Sequence, residues 1–139
     1  MRLYLDENLP PFLVEPLSLV YAGHEFRSYR DEELAGDEDI PLFAELKRRG
    51  FDAIITRDRN QMRNPEERDA IGRAGLRWIG LADKKIQGLE LLTVTVASLV
   101  AGLRFVFDHN PDEPVCYVIQ NVPRAQDQRI RMYPLARRT

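Results

Sequence analysis

The chain has 139 residues, 44% of them hydrophobic and 30% charged, with 20 Lys and Arg against 22 Asp and Glu for a formal net charge of -2. That length suits one domain burying about two thirds of its extended-chain surface, and the apolar share excludes a disordered chain. A single Cys excludes an intramolecular disulfide framework, and the near-neutral balance excludes a globally basic nucleic-acid binder while leaving room for a local basic patch. The opening Met1-Arg2-Leu3-Tyr4-Leu5-Asp6 meets an acid too early for the apolar core of a signal peptide. The charge-free stretch Leu91–Leu103 falls short of the roughly 20 residues of a bilayer span and reads as a buried helix. The expectation is a cytoplasmic protein without a membrane segment.

Leu3, Tyr4 and Leu5 form a short apolar strand ending in Asp6-Glu7-Asn8. Pro10 and Pro11 suit an opening helical turn, Phe12, Leu13, Leu17 and Val20 follow at helical spacing, and Pro16 is expected to kink that helix. His24, Phe26 and Tyr29 mark a second strand, and Ser28 to Gly36 reads as a polar, acidic loop, with Tyr29 in a mobile lid or partner surface. Asp37 is expected to cap the next helix, whose buried side carries Ile40, Phe43, Ala44 and Leu46 and whose end carries Lys47, Arg48 and Arg49. Ala53–Thr56 reads as a buried strand. Asn64 and Pro65 open a short helix, and Leu76 to Leu81 forms another strand. A long apolar helix after Gly88 follows, and Val115–Ile119 and Ile130–Tyr133 are expected to close the fold as a terminal strand pair. The order predicts a single α/β domain over residues 1–139, with a mostly parallel sheet and an antiparallel C-terminal strand pair.

In such a sheet the carboxyl ends of the strands open into a common crevice. Asp6 follows the first strand, Asp58 follows Ala53–Thr56, and Asp37 begins the helix that returns to the same edge, so the three acids can meet at one rim. Three carboxylates repel one another unless a cation, protons or water separate them. Mg²⁺ prefers oxygen ligands, keeps several waters and needs only one or two direct carboxylates, and it could orient water at a phosphodiester. Asn8 or Asn60 suits a metal-bound water without adding charge. The competing reading leaves Asp37 as a helix cap and the other acids facing solvent.

Leu3-Tyr4-Leu5-Asp6-Glu7-Asn8-Leu9-Pro10 resembles the start of the PIN-like proteins, relatives of the PIN-domain ribonucleases. Gly23-His24-Glu25-Phe26 is similar to the family's entry into its second strand, Asp37, Ile40 and Ala44 to its acid-led helix, and Ile55-Thr56-Arg57-Asp58-Arg59 to its Thr-x-Asp strand end. The resemblance covers roughly residues 1 to 81. It implies a three-layer α-β-α sandwich and a Mg²⁺- or Mn²⁺-dependent endoribonuclease, often the toxin of a toxin–antitoxin pair. Asp6, Asp37 and Asp58 become the catalytic, metal-binding acids, with Asn60 standing where the usual Thr-x-Asp-x-Asp pattern has its second acid.

Arg57 and Arg59 flank Asp58 and, with Asn8, are the candidate substrate contacts, because guanidinium groups hold phosphate oxygens in a fork; balancing nearby acids is their alternative role. Lys47, Arg48 and Arg49 extend a positive track or simply end a helix. Cys116, between Val115 and Tyr117, reads as a buried, inert thiol, and Trp78 and Tyr4 as sheet core. Arg124, Arg129, Arg131, Arg137 and Arg138 give the C-terminal segment a basic character suited to RNA or an acidic antitoxin. Expected partners are therefore RNA, an antitoxin protein and a second copy in a homo-oligomer. The alternative function is a catalytically silent PIN-like scaffold that binds nucleic acid or a protein. No Gly-rich phosphate loop or dinucleotide fingerprint is present.

Overall fold

The computed structural model describes residues 1–82 and 85–136. Its centre is a strand, β1 (Arg2–Leu5), whose side chains alternate between two apolar layers. Leu3 and Leu5 enter one layer and Tyr4 the other, all fully buried. The same period of two sorts Ala53 and Ile55 from Ile54 in β3 (Ala53–Thr56), and Ile79 and Leu81 from Trp78 in β4 (Arg77–Leu81). With β2 (Glu25–Ser28) and β5 (Cys116–Ile119) these make a five-stranded sheet in the order β2-β1-β3-β4-β5.

Helices fill both layers. On one side α1 (Val14–Val20) and α6 (Gly88–Asp108) bury Leu17, Leu99, Leu103 and Val106 against the sheet. On the other, α3 (Asp39–Arg48) and α5 (Pro65–Arg73) bury Leu42, Phe43, Leu46 and Ile71. At about 1.5–3 kcal/mol for each fully buried side chain of this size, the two layers dominate the stability of the fold. Pro16 falls in the first turn of α1, after a 3₁₀ turn over Pro11–Leu13. A missing N–H there leaves no intrahelical bond unmade, so Pro16 helps open the helix.

The C-terminal strand pair is corrected by the structure: every strand pairing is parallel, that of β5 with β4 included, and Ile130–Tyr133 forms no strand. The reason lies in α6, which carries the chain back across the sheet so that β5 enters in the direction of its neighbours. Beyond β5 the chain is drawn along α6, where the Val122 N–H donates to Ser98 Oγ at 3.0 Å and Arg124 pairs with Glu90 at 2.5 Å. Helix α6 is longer than the stretch Leu91–Leu103 and is long and apolar enough to cross a membrane by length and composition alone. It serves here as a core helix of the sandwich.

Three four-residue helices also form: α2 (Tyr29–Glu32), α4 (Asn60–Arg63) and α7 (Gln126–Arg129). Tyr29 begins α2 rather than lying in a loop, because Ser28 and Asp31 form a reciprocal capping box, and it packs against the second apolar layer. In β4 the Trp78 ring lies over Gly80, where an added Cβ would stand 2.1 Å from a ring carbon. Only glycine leaves room for the indole, which reaches toward the carboxyl edge of the sheet.

Candidate acidic rim

The strand order reverses between β1 and β3, and in open α/β sheets the crevice at such a point receives the ligand. Asp6 leaves β1 and Asp58 follows β3, so both acids stand beside this crevice. Thr56, the last residue of β3, ties them together: its hydroxyl donates to Asp6 Oδ2 at 2.9 Å and accepts the Asp58 N–H at 3.0 Å. The same hydroxyl accepts from Asn8 Nδ2 at 3.0 Å, and Asn8 Oδ1 accepts the Arg57 N–H at 3.0 Å. Asn8 thus fastens the loop after β1 to the loop after β3.

Asp58 also builds the element that follows. Its Oδ1 accepts the Asn60 N–H at 3.0 Å and its carbonyl accepts the Gln61 N–H at 3.3 Å, which winds the chain into α4. That short helix turns Gln61 fully inward. Gln61 Nε2 donates to Asp6 Oδ2 and to Asp39 Oδ1, each at 3.3 Å, while Gln61 Oε1 accepts Trp78 Nε1–H at 3.0 Å. The indole nitrogen can only donate, so the amide oxygen must face it and the NH₂ group must face the carboxylates.

Asp6 is 5% exposed, and burial pushes its carboxyl above the usual range against the opposing hydrogen bonds from Thr56, the Glu7 N–H and Gln61. The charge of Asp39 pushes in the same direction as burial. Glu67, in the first turn of α5, is pushed up to about 7, chiefly by a hydrogen bond it shares with Asp39, then by burial and by the charges of Asp39 and Asp58. A carboxyl raised in this way holds a proton well above the usual carboxylate range. The crevice therefore relieves its repulsion with a threonine hydroxyl, a glutamine amide and a shared proton.

Asp6 and Asp58 are brought together through Thr56. Asp37 is exposed in the turn before α3, its N–H bonded to the Leu34 carbonyl at 3.4 Å, and the helix cap is Glu38 rather than Asp37. The acid that shares Gln61 with Asp6 is Asp39. Asn60 is exposed as the first residue of α4, and Arg59 is partly exposed beside it. The Arg57 guanidinium reaches across to α6, donating to Thr95 Oγ1 at 2.6 Å. Cys116 is exposed, correcting the expected buried thiol, because β5 is an edge strand with a single neighbour. Lys47, Arg48 and Arg49 are engaged locally, with the Arg73 carbonyl and with Glu45. Arg124 pairs with Glu90, Arg129 and Arg131 are exposed, and Arg137 and Arg138 lie outside the described residues. Sequence reasoning missed Gln61, Asp39 and Glu67. The available signal for Gln61 was Asp58 two residues before Asn60, a side-chain turn that starts a helix.

This donor set does not fit a ready-made Mg²⁺ or Mn²⁺ centre. Among the described residues no three His, Cys, Asp or Glu side chains converge closely enough to hold one ion. The oxygens of Asp6 already accept three hydrogen bonds, and the Gln61 amide stands between Asp6 and Asp39. A parallel sheet with acids at its switch point is consistent with the PIN superfamily at a coarse level. The model of the PIN-like domain family matches residues 1–83, spanning β1 to β4 and the whole rim, and the chain belongs to that family. No curated protein and no solved structure matches it.

Proposed function

We propose that this PIN-like domain binds single-stranded RNA at the acidic rim without hydrolysing it. The observation that carries this reading is the Gln61 amide between Asp6 and Asp39, where an amide NH₂ neutralises repulsion that a hydrolytic centre would assign to a cation. Arg57 and Arg59 lie in the loop between β3 and α4 and Arg63 ends α4, which supplies guanidinium groups of the kind that hold phosphate oxygens. Phosphate contacts of this kind give salt-dependent affinity independent of catalysis. The cytoplasm is the matching compartment, since a lone exposed Cys116 stays reduced there.

A second reading has one specific support, the Thr56 hydroxyl that joins Asp6 to the Asp58 backbone. In it the chain is a Mg²⁺- or Mn²⁺-dependent endoribonuclease, the toxin of a toxin–antitoxin pair, with Asp6, Asp37 and Asp58 as its acids and Gln61 withdrawn. RNA-binding and cleavage assays in Mg²⁺, Mn²⁺ and chelator separate the two. Binding that survives chelation, weakens when Arg57 and Arg59 become alanine and leaves the RNA intact supports the scaffold. Metal-dependent cleavage lost in Asp58→Asn supports the nuclease.

A further inference from the structure

We propose that residues 130–135 of one chain seat in the groove between α6 and β5 of a second copy, and the reverse, so that the protein forms a tail-exchanged dimer. The groove has a volume of about 620 Å³ and a mainly apolar lining, with Ala101, Gly102 and Phe105 from α6 facing Cys116, Val118 and Ile119 from β5. A Cβ on Gly102 would stand 2.7 Å from Ile119, so helix and strand touch at this point and close the groove's floor. Along its flank β5 is the last strand of the sheet, with one side of its backbone unpaired. Natural sheets cover such an edge or blunt it.

The segment that suits this groove is on the same chain but does not line it. Ile130, Met132, Tyr133 and Leu135 are all more than half exposed, and Leu135 is fully so. Such a run of large apolar side chains within six residues marks a contact surface. It does not fill the groove of its own chain. The chain leaves β5 along the N-terminal half of α6, held by Ser98 and Glu90, and Arg129 still lies beside Glu90 and Thr93. Ser98 and Val122 line the near end of the groove, and Glu90 is about 12 Å from Ser98 along the helix axis at about 1.5 Å per residue. Residues 130–135 follow Arg129 beyond that end and do not line the groove of their own chain.

Charge selects the same occupant. The loop at the groove's His109 end carries Asp108, Asp112 and Glu113, all exposed. The segment carries Arg131, Arg129 precedes it, and Arg137 and Arg138 follow in the sequence. Each chain thus owns one basic, apolar arm and one apolar groove, whose His109 end carries Asp108, Asp112 and Glu113 with Arg77 bound to the same loop. Two copies related by a two-fold axis satisfy both at once in a closed assembly.

The test uses the full chain in analytical ultracentrifugation. Wild type is expected to sediment as a dimer. Ile130→Asp with Met132→Asp on the arm, or Phe105→Asp in the groove, is expected to halve the mass with an unchanged circular dichroism spectrum. A second measurement uses the native thiol. In Met132→Cys, mild oxidation with diamide should join the introduced thiol of one chain to Cys116 of the other, giving a reducible covalent dimer that Cys116→Ser abolishes. A wild type that stays monomeric at its highest soluble concentration, a dimer indifferent to both sets of substitutions, or a disulfide formed only within one chain would overturn the proposal.

Discussion

Gln61 donates its side-chain amide to Asp6 at 3.3 Å across 55 residues of sequence, and the bond exists because a four-residue helix started by Asp58 turns Gln61 inward. The same amide holds Asp39 and, through its oxygen, the Trp78 indole. One neutral side chain thus joins the loop after β1, the start of α3 and the core of β4. Gln61→Leu should lower the unfolding free energy by about 1–3 kcal/mol, the usual cost of leaving a buried polar group unsatisfied. Gln61→Glu should be less stable still without divalent ions and regain stability when Mg²⁺ is added, whereas the wild-type melting temperature should not respond to Mg²⁺ at constant ionic strength. Thermal denaturation of the three proteins with and without Mg²⁺ checks both expectations.

Thr56→Val keeps the shape of the side chain and removes the hydroxyl that serves Asp6, Asp58 and Asn8. With three partners deprived, a loss of about 2 kcal/mol or more is expected, and Thr56→Ser should restore most of it. Urea denaturation midpoints at equal slope give the comparison.

Much of this fold is legible in the sequence. The alternation of Leu3, Tyr4 and Leu5, the buried run of Ala53–Thr56 and the Asn64-Pro65 helix start announce β1, β3 and α5, and the Asn64 side chain does accept the Glu66 and Glu67 N–H groups. What escaped is short or depends on partners. Helices α2 and α4 have four residues each, too few for a 3.6-residue period to show, and their signal is capping chemistry at Ser28 and Asp58. Ile130–Tyr133 alternates like a strand, yet the course of the chain along α6 takes it away from β5. Starting α3 at Asp39 leaves Asp37 in the turn before the helix and brings Asp39 to the Gln61 amide.

Gly80→Ala would set a methyl group against the Trp78 ring, at 2.1 Å before any shift. The indole is held on one side by the sheet and at its nitrogen by Gln61, so the substitution should cost about 1–3 kcal/mol as overpacking does. Trp78 is the single tryptophan, and its fluorescence emission should move to longer wavelength as the ring is displaced.

Glu67 gives the rim a pH dependence of defined sign. Its ordinary value of 4.5 rises to about 7 in the folded protein, so the native state holds a proton that the unfolded chain releases. The stabilisation is complete below about 4.5 and is lost as pH rises through about 7. The partial exposure of Glu67 keeps the amplitude below the full linkage value. Glu67→Gln, which cannot ionise, should flatten the stability profile across that window in a pH series of denaturation curves.

The most direct measurement is the proton–nitrogen spectrum of the Gln61 side-chain amide during a Mn²⁺ titration. An amide locked between Asp6 and Asp39 is expected to give a distinct, exchange-protected pair of signals that persists at stoichiometric Mn²⁺, while Gln61→Leu identifies them by their loss. Selective broadening of those signals at low Mn²⁺, ahead of the rest of the spectrum, would show a paramagnetic ion at the rim and contradict the closed crevice.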